Sequence, residues 1–212
     1  SSLGMQMSAR IYTQIILYAA LAFFSVLMLQ ITFEYIPIRF DVSFLQTKQE
    51  EVEWPYYRVA FYVHVYTSMF ALIAGFTQFS RRIRTKYTAI HRAVGKMYFY
   101  VVVFLSGPSG FIMAYHANGG WTSQLAFLLL AALWIISTIM AVNTIQKGNV
   151  IDHRKWMMRS YALTLSAITL RLWKWGIVKV FEPRPMDVYR VVAWLGWVLN
   201  ALVAEYLIRR KS

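Results

Sequence analysis

Apolar residues gather into six long runs, and the segments that separate these runs are short and rich in basic and aromatic residues. Each run has roughly 20 residues or more, which is enough for a helix to cross the ~30 Å hydrocarbon layer of a bilayer. The pattern predicts an all-α integral membrane protein with a single six-span domain. The predicted spans cover residues 11–37, 58–80, 88–117, 121–145, 156–178 and 188–208.

Composition supports this class and removes several kinds of chemistry. Of the 212 residues, 58% are apolar and only 15% are charged, whereas a soluble domain of this size needs more polar surface. The chain has no cysteine, which excludes disulfides, thiolate catalysis, iron–sulfur ligation and cysteine-based zinc sites. The sequence begins with Ser1, so we expect either a processed presequence or added residues at the N-terminus.

The distribution of charge predicts the orientation. Segment 81–92 holds five Lys and Arg, and segment 147–159 holds four against one Asp, whereas segment 39–58 holds three against four acidic residues. Basic loops stay on the cytoplasmic or matrix side, so both termini are predicted there. The net charge of +13 is then explained by topology and anionic lipid headgroups, and nucleic acid is not an expected partner.

The third span organises the prediction because it holds a histidine near each end. His91 and His116 are 25 residues apart, or about 37 Å along a helix, which places them near opposite membrane surfaces. Pro108 lies between them and is expected to kink the helix and to free backbone carbonyls in its outer half.

The four histidines of the chain separate into two sets by depth. His64 and His116 are predicted at the outer side, and His91 and His153 at the inner side, with each set drawn from two different helices. Small and polar residues share the helix faces that carry these histidines, and such faces pack against protein. We therefore predict a central four-helix bundle with the histidines on its inner faces.

Structural roles compete with functional ones at these positions. An interfacial histidine such as His91 or His153 can act only as a helix cap, and His64 can simply bond to a neighbouring helix. Arg171, which lies in the outer leaflet, binds either the carbonyls freed near Pro108 or an anionic group. Glu205 is expected to be neutralised by Arg159 or Lys96, and Tyr98, Trp134 and Trp156 to serve as packing or interface residues.

Paired imidazoles on facing helices hold b-type haem, which makes electron transfer the leading hypothesis. His64 with His116 would ligate an outer haem and His91 with His153 an inner one, so one or two haems b are expected. Arg171, Arg92 and Arg159 would meet the propionates. The arrangement resembles the cytochrome b561 type of six-span, two-haem quinol or ferric reductase. In that family, however, the ligands come from four consecutive helices, whereas here one helix supplies two.

A second resemblance rests on local motifs. The segments GFTQF (75–79), HRAVGKMY (91–98), HRKWMMRS (153–160) and LR (170–171) are similar to those of a domain-of-unknown-function family of predicted membrane proteins. The likeness covers about residues 58–175. It implies motif roles for Gln78, His91, His116, His153, Arg159 and Arg171, and it implies no particular activity.

Other functions remain open alongside a quinol-linked or metal-linked oxidoreductase, so enzymatic activity is left undecided. The chain could be a non-catalytic accessory or assembly subunit of a respiratory complex. A copper- or iron-handling protein is a further alternative, since histidine-only sites hold these metals. Expected partners are the lipid bilayer, quinone and respiratory subunits, in a bacterial cytoplasmic membrane or a mitochondrial inner membrane.

Overall fold

The structure is a computed structural model that describes the backbone of residues 2–182 and 184–210 and the side chains from residue 11 onwards. All regular structure in these residues is helical, which confirms the predicted class. Ser1, on which the question of a processed N-terminus rests, lies outside the described residues. The α-helices are α1 (Ser2–Phe33), α2 (Pro55–Gln78), α3 (Arg81–Lys86), α4 (Thr88–Tyr100), α5 (Gly107–Tyr115), α6 (Trp121–Gln146), α7 (Val150–Thr164), α8 (Ser166–Phe181) and α9 (Pro185–Arg210).

Five helical stretches are each long and apolar enough to cross a membrane, which supports an integral membrane protein. They are Ile11–Phe33, Pro55–Gln78, Thr88–Tyr115, Trp121–Gln146 and Pro185–Arg210. The first helix ends at Phe33, four residues before the predicted limit of the span. The predicted span 156–178 is not one helix but two, α7 and α8, so the structure has five such stretches where six were predicted.

The division falls at Leu165, where the Ile168 backbone N–H donates to the Leu165 carbonyl only three residues earlier (3.0 Å) and where two threonine hydroxyls also bond to the backbone. Thr164 Oγ1 donates a hydrogen bond to the Ser160 carbonyl (3.2 Å), and Thr169 Oγ1 donates one to the Leu165 carbonyl (3.2 Å). Hydroxyls that bond to the carbonyl four residues earlier compete with the helix ladder and bend it. At 15 and 16 residues, neither α7 nor α8 is long enough to span the hydrocarbon layer alone.

The third span is irregular in its middle. A π-helix, Val101–Ser106, joins α4 to α5, and Pro108 occupies the first turn of α5. A π-turn and a proline both interrupt the regular hydrogen-bond ladder, as the predicted kink requires. The Ser106 carbonyl is used by a neighbouring helix, because it accepts a hydrogen bond from His64 Nδ1 (2.8 Å).

The main core lies between α2, α4, α6, α7 and α9. Gly75 permits one of its closest contacts, because a Cβ there would lie 1.9 Å from the Tyr161 hydroxyl. That hydroxyl donates to the Leu72 carbonyl (2.7 Å) and so ties α7 to α2. Helix α1 packs on α2 and α8 through a small cluster that includes Met28. Most of its other side chains from residue 11 to residue 33 are exposed and suited to lipid.

The bundle has two chemically different ends. Helix α3, the turn between α6 and α7, and the C-terminal part of α9 meet at what we term the basic end. The loop end contains residues 34–54, residues 116–120 and the start of α9. There Arg190 Nε donates to the Gly119 carbonyl (2.8 Å), and Asn118 Nδ2 donates to Thr47 Oγ1 (3.5 Å).

Candidate functional site

A cleft with a volume of about 1710 Å³ opens at the basic end. Side chains from α1, α2, α3, α4, α6, α7 and α9 line it, so it lies where most of the bundle converges. His91 from α4 and His153 from α7 both line this cleft, and they are near enough to interact electrostatically. The two histidines predicted for the inner side therefore share one space.

His153 is held in a defined orientation. The side chain of Asn149 caps the start of α7 by accepting from the Asp152 backbone N–H (3.0 Å), which sets the first turn. His153 lies in that turn and bonds through Nδ1 to the Ala141 carbonyl of α6 (2.7 Å). Because a carbonyl can only accept, Nδ1 carries the proton and Nε2 keeps its lone pair.

His91 is anchored through its backbone. Gln78 Nε2, at the end of α2, donates to the His91 carbonyl (3.1 Å). The Gln78 amide fits here because Gly95 is small: a Cβ on Gly95 would lie 3.2 Å from Gln78 Oε1. The His91 ring is partly buried, and its Nδ1 has no hydrogen-bond partner among the described residues. A buried ring nitrogen without a partner is uncommon, because it loses its hydration without compensation.

The lining of the cleft is strongly basic. Arg84 of α3 is half-buried, and Arg92 and Lys96 project from the first two turns of α4. Among the described residues, no Asp or Glu lines the cleft. The seven basic lining residues are Arg81, Arg82, Arg84, Arg92, Lys96, Arg154 and Lys155.

Below the cleft, a buried hydrogen-bond network joins three helices. The Tyr98 hydroxyl, on α4, is hydrogen-bonded to Ser160 Oγ (2.7 Å) and Thr164 Oγ1 (2.8 Å) of α7. From α6, Thr138 Oγ1 bonds to Ser160 Oγ (2.7 Å), and Trp134 Nε1 donates to Thr164 Oγ1 (2.9 Å). Tyr98 and Thr138 also line the cleft, so its floor is polar and fully satisfied.

His64 lies on α2, away from the basic end. Its Nδ1 donates to the Ser106 carbonyl, so its Nε2 also keeps a lone pair. Gly110 provides the space for the ring, because a Cβ at that position would lie 3.0 Å from His64 Cε1 and Nδ1. Arg171 of α8 is close enough to influence His64 electrostatically. The Arg171 Nη1 donates to the Ala167 carbonyl one turn earlier on its own helix (2.7 Å), and not to a carbonyl near Pro108.

His116 belongs to the loop end. Its Nε2 is hydrogen-bonded to the Tyr56 hydroxyl (3.0 Å), and its ring lies 5.0 Å from Trp54 and 5.6 Å from Tyr57, centroid to centroid. The His116 carbonyl accepts a hydrogen bond from the Lys48 ammonium. The two histidines predicted for the outer side thus each bind a different partner, His64 the π-helix at Ser106 and His116 the first turn of α2 at Tyr56.

Arg159 lies beside the cleft rather than in it. Its Nε and Nη2 donate to Glu205 Oε1 (2.5 Å) and Oε2 (3.1 Å), and its guanidinium lies 4.5 Å from the centroid of Trp156. The expected neutralisation of Glu205 by Arg159 is therefore confirmed. These residues line a separate cavity of about 220 Å³. A propionate at Arg159 would have to compete with this bidentate pair.

Two features of the structure were not predicted from the sequence: the burial of Lys48 and the role of Tyr98 in a polar network. Lys48 is only 1% exposed, although a loop lysine is normally solvated. The spacing of Lys48 and Glu51 was the available signal for it. Tyr98 is the centre of a polar network and not a simple packing residue. Its signal was the shared polar face of Ser160 and Thr164 on the opposite span.

Among the described residues, no three His, Asp or Glu side chains converge as a metal-ion site would require.

Comparison with known proteins adds one family. The model of DUF2306, a family of predicted membrane proteins, matches residues 61–208. The match begins in α2 and ends in α9, so it contains the cleft histidines, the polar network and the Arg159–Glu205 pair. No curated protein and no solved structure matches the chain.

Proposed function

This chain belongs to the DUF2306 family of predicted membrane proteins, and we propose that it transfers electrons through a b-type haem held in the basic-end cleft by His91 and His153. The observation that carries the proposal is the meeting of these two histidines, from different helices, in one large basic cleft. Haem in helical bundles is held by such pairs of neutral imidazoles.

The orientation of His153 suits an iron ligand. Histidines that bind metals usually donate their other N–H to a carbonyl or carboxylate, which fixes the ring and raises the basicity of the ligating nitrogen. The bond from His153 Nδ1 to the Ala141 carbonyl has this form, with Nε2 left for the iron.

The His91 ring offers the second iron ligand. Its buried ring nitrogen has no partner in the described residues, and its backbone is fixed by Gln78. Coordination of an iron by the His91 ring would use a nitrogen lone pair and would compensate for the hydration that the ring loses on burial. Gln78 then acts as a positioning residue, since it holds α4 against α2 at the level of His91.

The rest of the cleft is large enough and basic enough for a haem. Its volume exceeds that of most ligand pockets, which hold 300–1,000 Å³. Arg92 and Lys96 lie one turn apart on the helix of His91 and would meet the two propionates. A six-coordinate haem supplies one-electron transfer, while the polar floor around Tyr98 keeps the surrounding helices rigid.

His64 and His116 would hold a second haem only after rearrangement. His116 would have to leave Tyr56, because its Nε2 is already bonded there. His64 has a suitable orientation, with Nδ1 on the Ser106 carbonyl, and Arg171 nearby would meet a propionate. We therefore propose one haem at the basic end, with the His64–His116 haem as a separate extension of that proposal.

We also propose a six-crossing topology, with α7 and α8 together as one crossing. Helix α7 begins at the cleft, and α9, which follows α8, begins at the loop end, so the pair runs from one end of the bundle to the other. Both termini then lie at the basic end, on the cytoplasmic or matrix side. The electron partners are membrane quinone or subunits of a respiratory complex, in a bacterial cytoplasmic or mitochondrial inner membrane.

A reduced-minus-oxidised absorption spectrum of the purified protein tests the proposal. We expect the bands of six-coordinate haem, and we expect His91→Ala and His153→Ala each to abolish them. His116→Ala is the matched control, because it removes a histidine of the same chain that lies outside the cleft. It should leave the spectrum unchanged for one haem and halve it for two.

Other results would overturn the proposal. A colourless protein that purifies within a larger complex would favour an accessory subunit. Copper or iron found without haem, and lost in the same variants, would favour metal handling. Haem bands that keep their full intensity in both cleft variants would show that the ligands lie elsewhere.

A further inference from the structure

The mouth of the cleft carries a second feature, which does not depend on haem. Arg81 and Arg84 of α3 line the cleft together with Arg154 of α7, and we term these three residues the cleft rim. Arg84 is half-buried, and Arg154 and Arg81 are the cations that act on it most strongly. Burial first, and then these two like charges, lower the pKa of the Arg84 guanidinium.

Among the described residues, no acidic side chain is paired with the rim. All nine acidic residues of the chain lie in the described part, and only Asp152 and Glu205 belong to the basic end. Asp152 faces Lys155 (3.7 Å), and Glu205 is held by Arg159. The remaining acidic residues are Glu34, Asp41, Glu50, Glu51, Glu53, Glu182 and Asp187, all in or next to the loop end.

Membrane orientation alone does not account for this arrangement. A basic loop needs only exposed cations to set topology, and Arg209 and Arg210 at the end of α9 are of that kind. A half-buried guanidinium beside two further guanidinium-bearing residues loses hydration and gains repulsion. Such a cluster is stabilised when an anion binds between its members.

We propose that the cleft rim binds a phosphate group through Arg84 and Arg154, with Arg81 completing the site. Guanidinium groups match phosphate oxygens bidentately, and a phosphate that carries two charges balances several cations better than a carboxylate does. The phosphate belongs either to the headgroup of an anionic lipid or to a soluble phosphate compound. The haem propionates proposed above would use Arg92 and Lys96 of α4, so the two proposals stand or fall separately.

Thermal unfolding of the full chain in a neutral detergent tests the rim. One arm adds inorganic pyrophosphate, with sodium chloride at matched ionic strength as the reference. The other adds dioleoyl phosphatidic acid, with dioleoyl phosphatidylcholine as the reference. We expect at least one phosphate probe to raise the unfolding midpoint of the wild type above its reference. Stabilisation by pyrophosphate identifies a soluble ligand, and stabilisation by phosphatidic acid alone identifies a headgroup.

Substitutions of single arginines test whether the phosphate binds at the cleft rim. Arg84→Gln and Arg154→Gln should each weaken the apparent affinity for the effective probe by about tenfold, whereas Arg84→Lys should weaken it less. Arg210→Gln is the matched control, because it removes a basic-end arginine that does not line the cleft. The proposal fails if neither probe exceeds its reference, or if Arg210→Gln weakens binding as much as the rim variants. Arg154→Gln alone decides the test if Arg84→Gln does not fold.

Discussion

The two ends of the bundle differ in whether their buried cations have acidic partners. At the loop end, the almost fully buried Lys48 is bonded to Glu51 Oε1 (2.8 Å) and to the His116 carbonyl. At the basic end, Arg84 is also partly buried, but the charges that act on it most strongly are other cations. The buried cation at the loop end therefore has an acidic partner within the protein. The partly buried Arg84 at the basic end has none among the described residues.

The paired charge of Lys48 has a structural role, whereas we proposed above that the unpaired arginine cluster has a binding role. A buried charge with a partner fixes a local conformation, and here Lys48 fastens the 34–54 segment to the end of α5. A cluster of cations without acidic partners costs stability and is retained where a ligand uses it. The predictions below follow from this contrast, from the largest expected effect to the smallest.

Removing the partner of Lys48 should have the largest effect. Glu51→Gln leaves a buried ammonium without its counter-charge, and breaking one side of a buried pair costs about 3 kcal/mol. We expect the free energy of unfolding in detergent to fall by about that amount. Chemical denaturation, followed by tryptophan fluorescence, measures it.

Glu53→Gln is the control for this substitution. Glu53 lies in the same 3₁₀ turn, but it is exposed and has no ion pair among the described residues. Its replacement should change the free energy of unfolding by no more than about 0.5 kcal/mol. Equal losses in the two variants would mean that the Lys48–Glu51 pair does not hold the loop end together.

Neutralising a charge at the basic end should have the opposite sign. In the absence of a bound anion, Arg84→Gln relieves repulsion by Arg154 and Arg81, so the free energy of unfolding should rise by about 0.5–1 kcal/mol. Arg210→Gln should leave it unchanged. The same denaturation experiment, in phosphate-free buffer, measures both. A clear loss of stability in Arg84→Gln would show that this arginine has a structural partner.

The contrast also marks what the sequence could predict. His91 and His153 fall next to basic segments at the ends of apolar runs, and topology alone is enough to bring them to the same depth. Their common cleft follows from that. The environment of Lys48 depends on how a loop folds back on His116, and no periodic pattern encodes that path. Hydropathy does not predict the break at Leu165 for a similar reason, because it averages over about 20 residues and does not register a local change in backbone hydrogen bonding.

The smallest effect concerns the pH dependence of the loop-end pair. Burial raises the pKa of the Glu51 carboxyl, but the hydrogen bond from Lys48 and the local backbone outweigh burial, so this pKa lies below its ordinary value of 4.5. The unfolded state therefore takes up a proton first as the pH falls. The stability that Glu51 contributes is fully present above pH 4.5 and is lost as the pH falls through the lower pKa of the folded state.

Glutamine does not titrate, so the comparison of wild type with Glu51→Gln isolates this group from the other carboxylates. We expect the gap in free energy of unfolding between the two proteins to be constant at neutral pH and to narrow below pH 4.5. A protonated Glu51 resembles glutamine in charge and shape, which is why the gap should narrow and not reverse. Denaturation curves of both proteins across this range measure it. A gap that stays constant under acid would mean that Lys48 draws its stabilisation from the His116 carbonyl and not from the carboxylate.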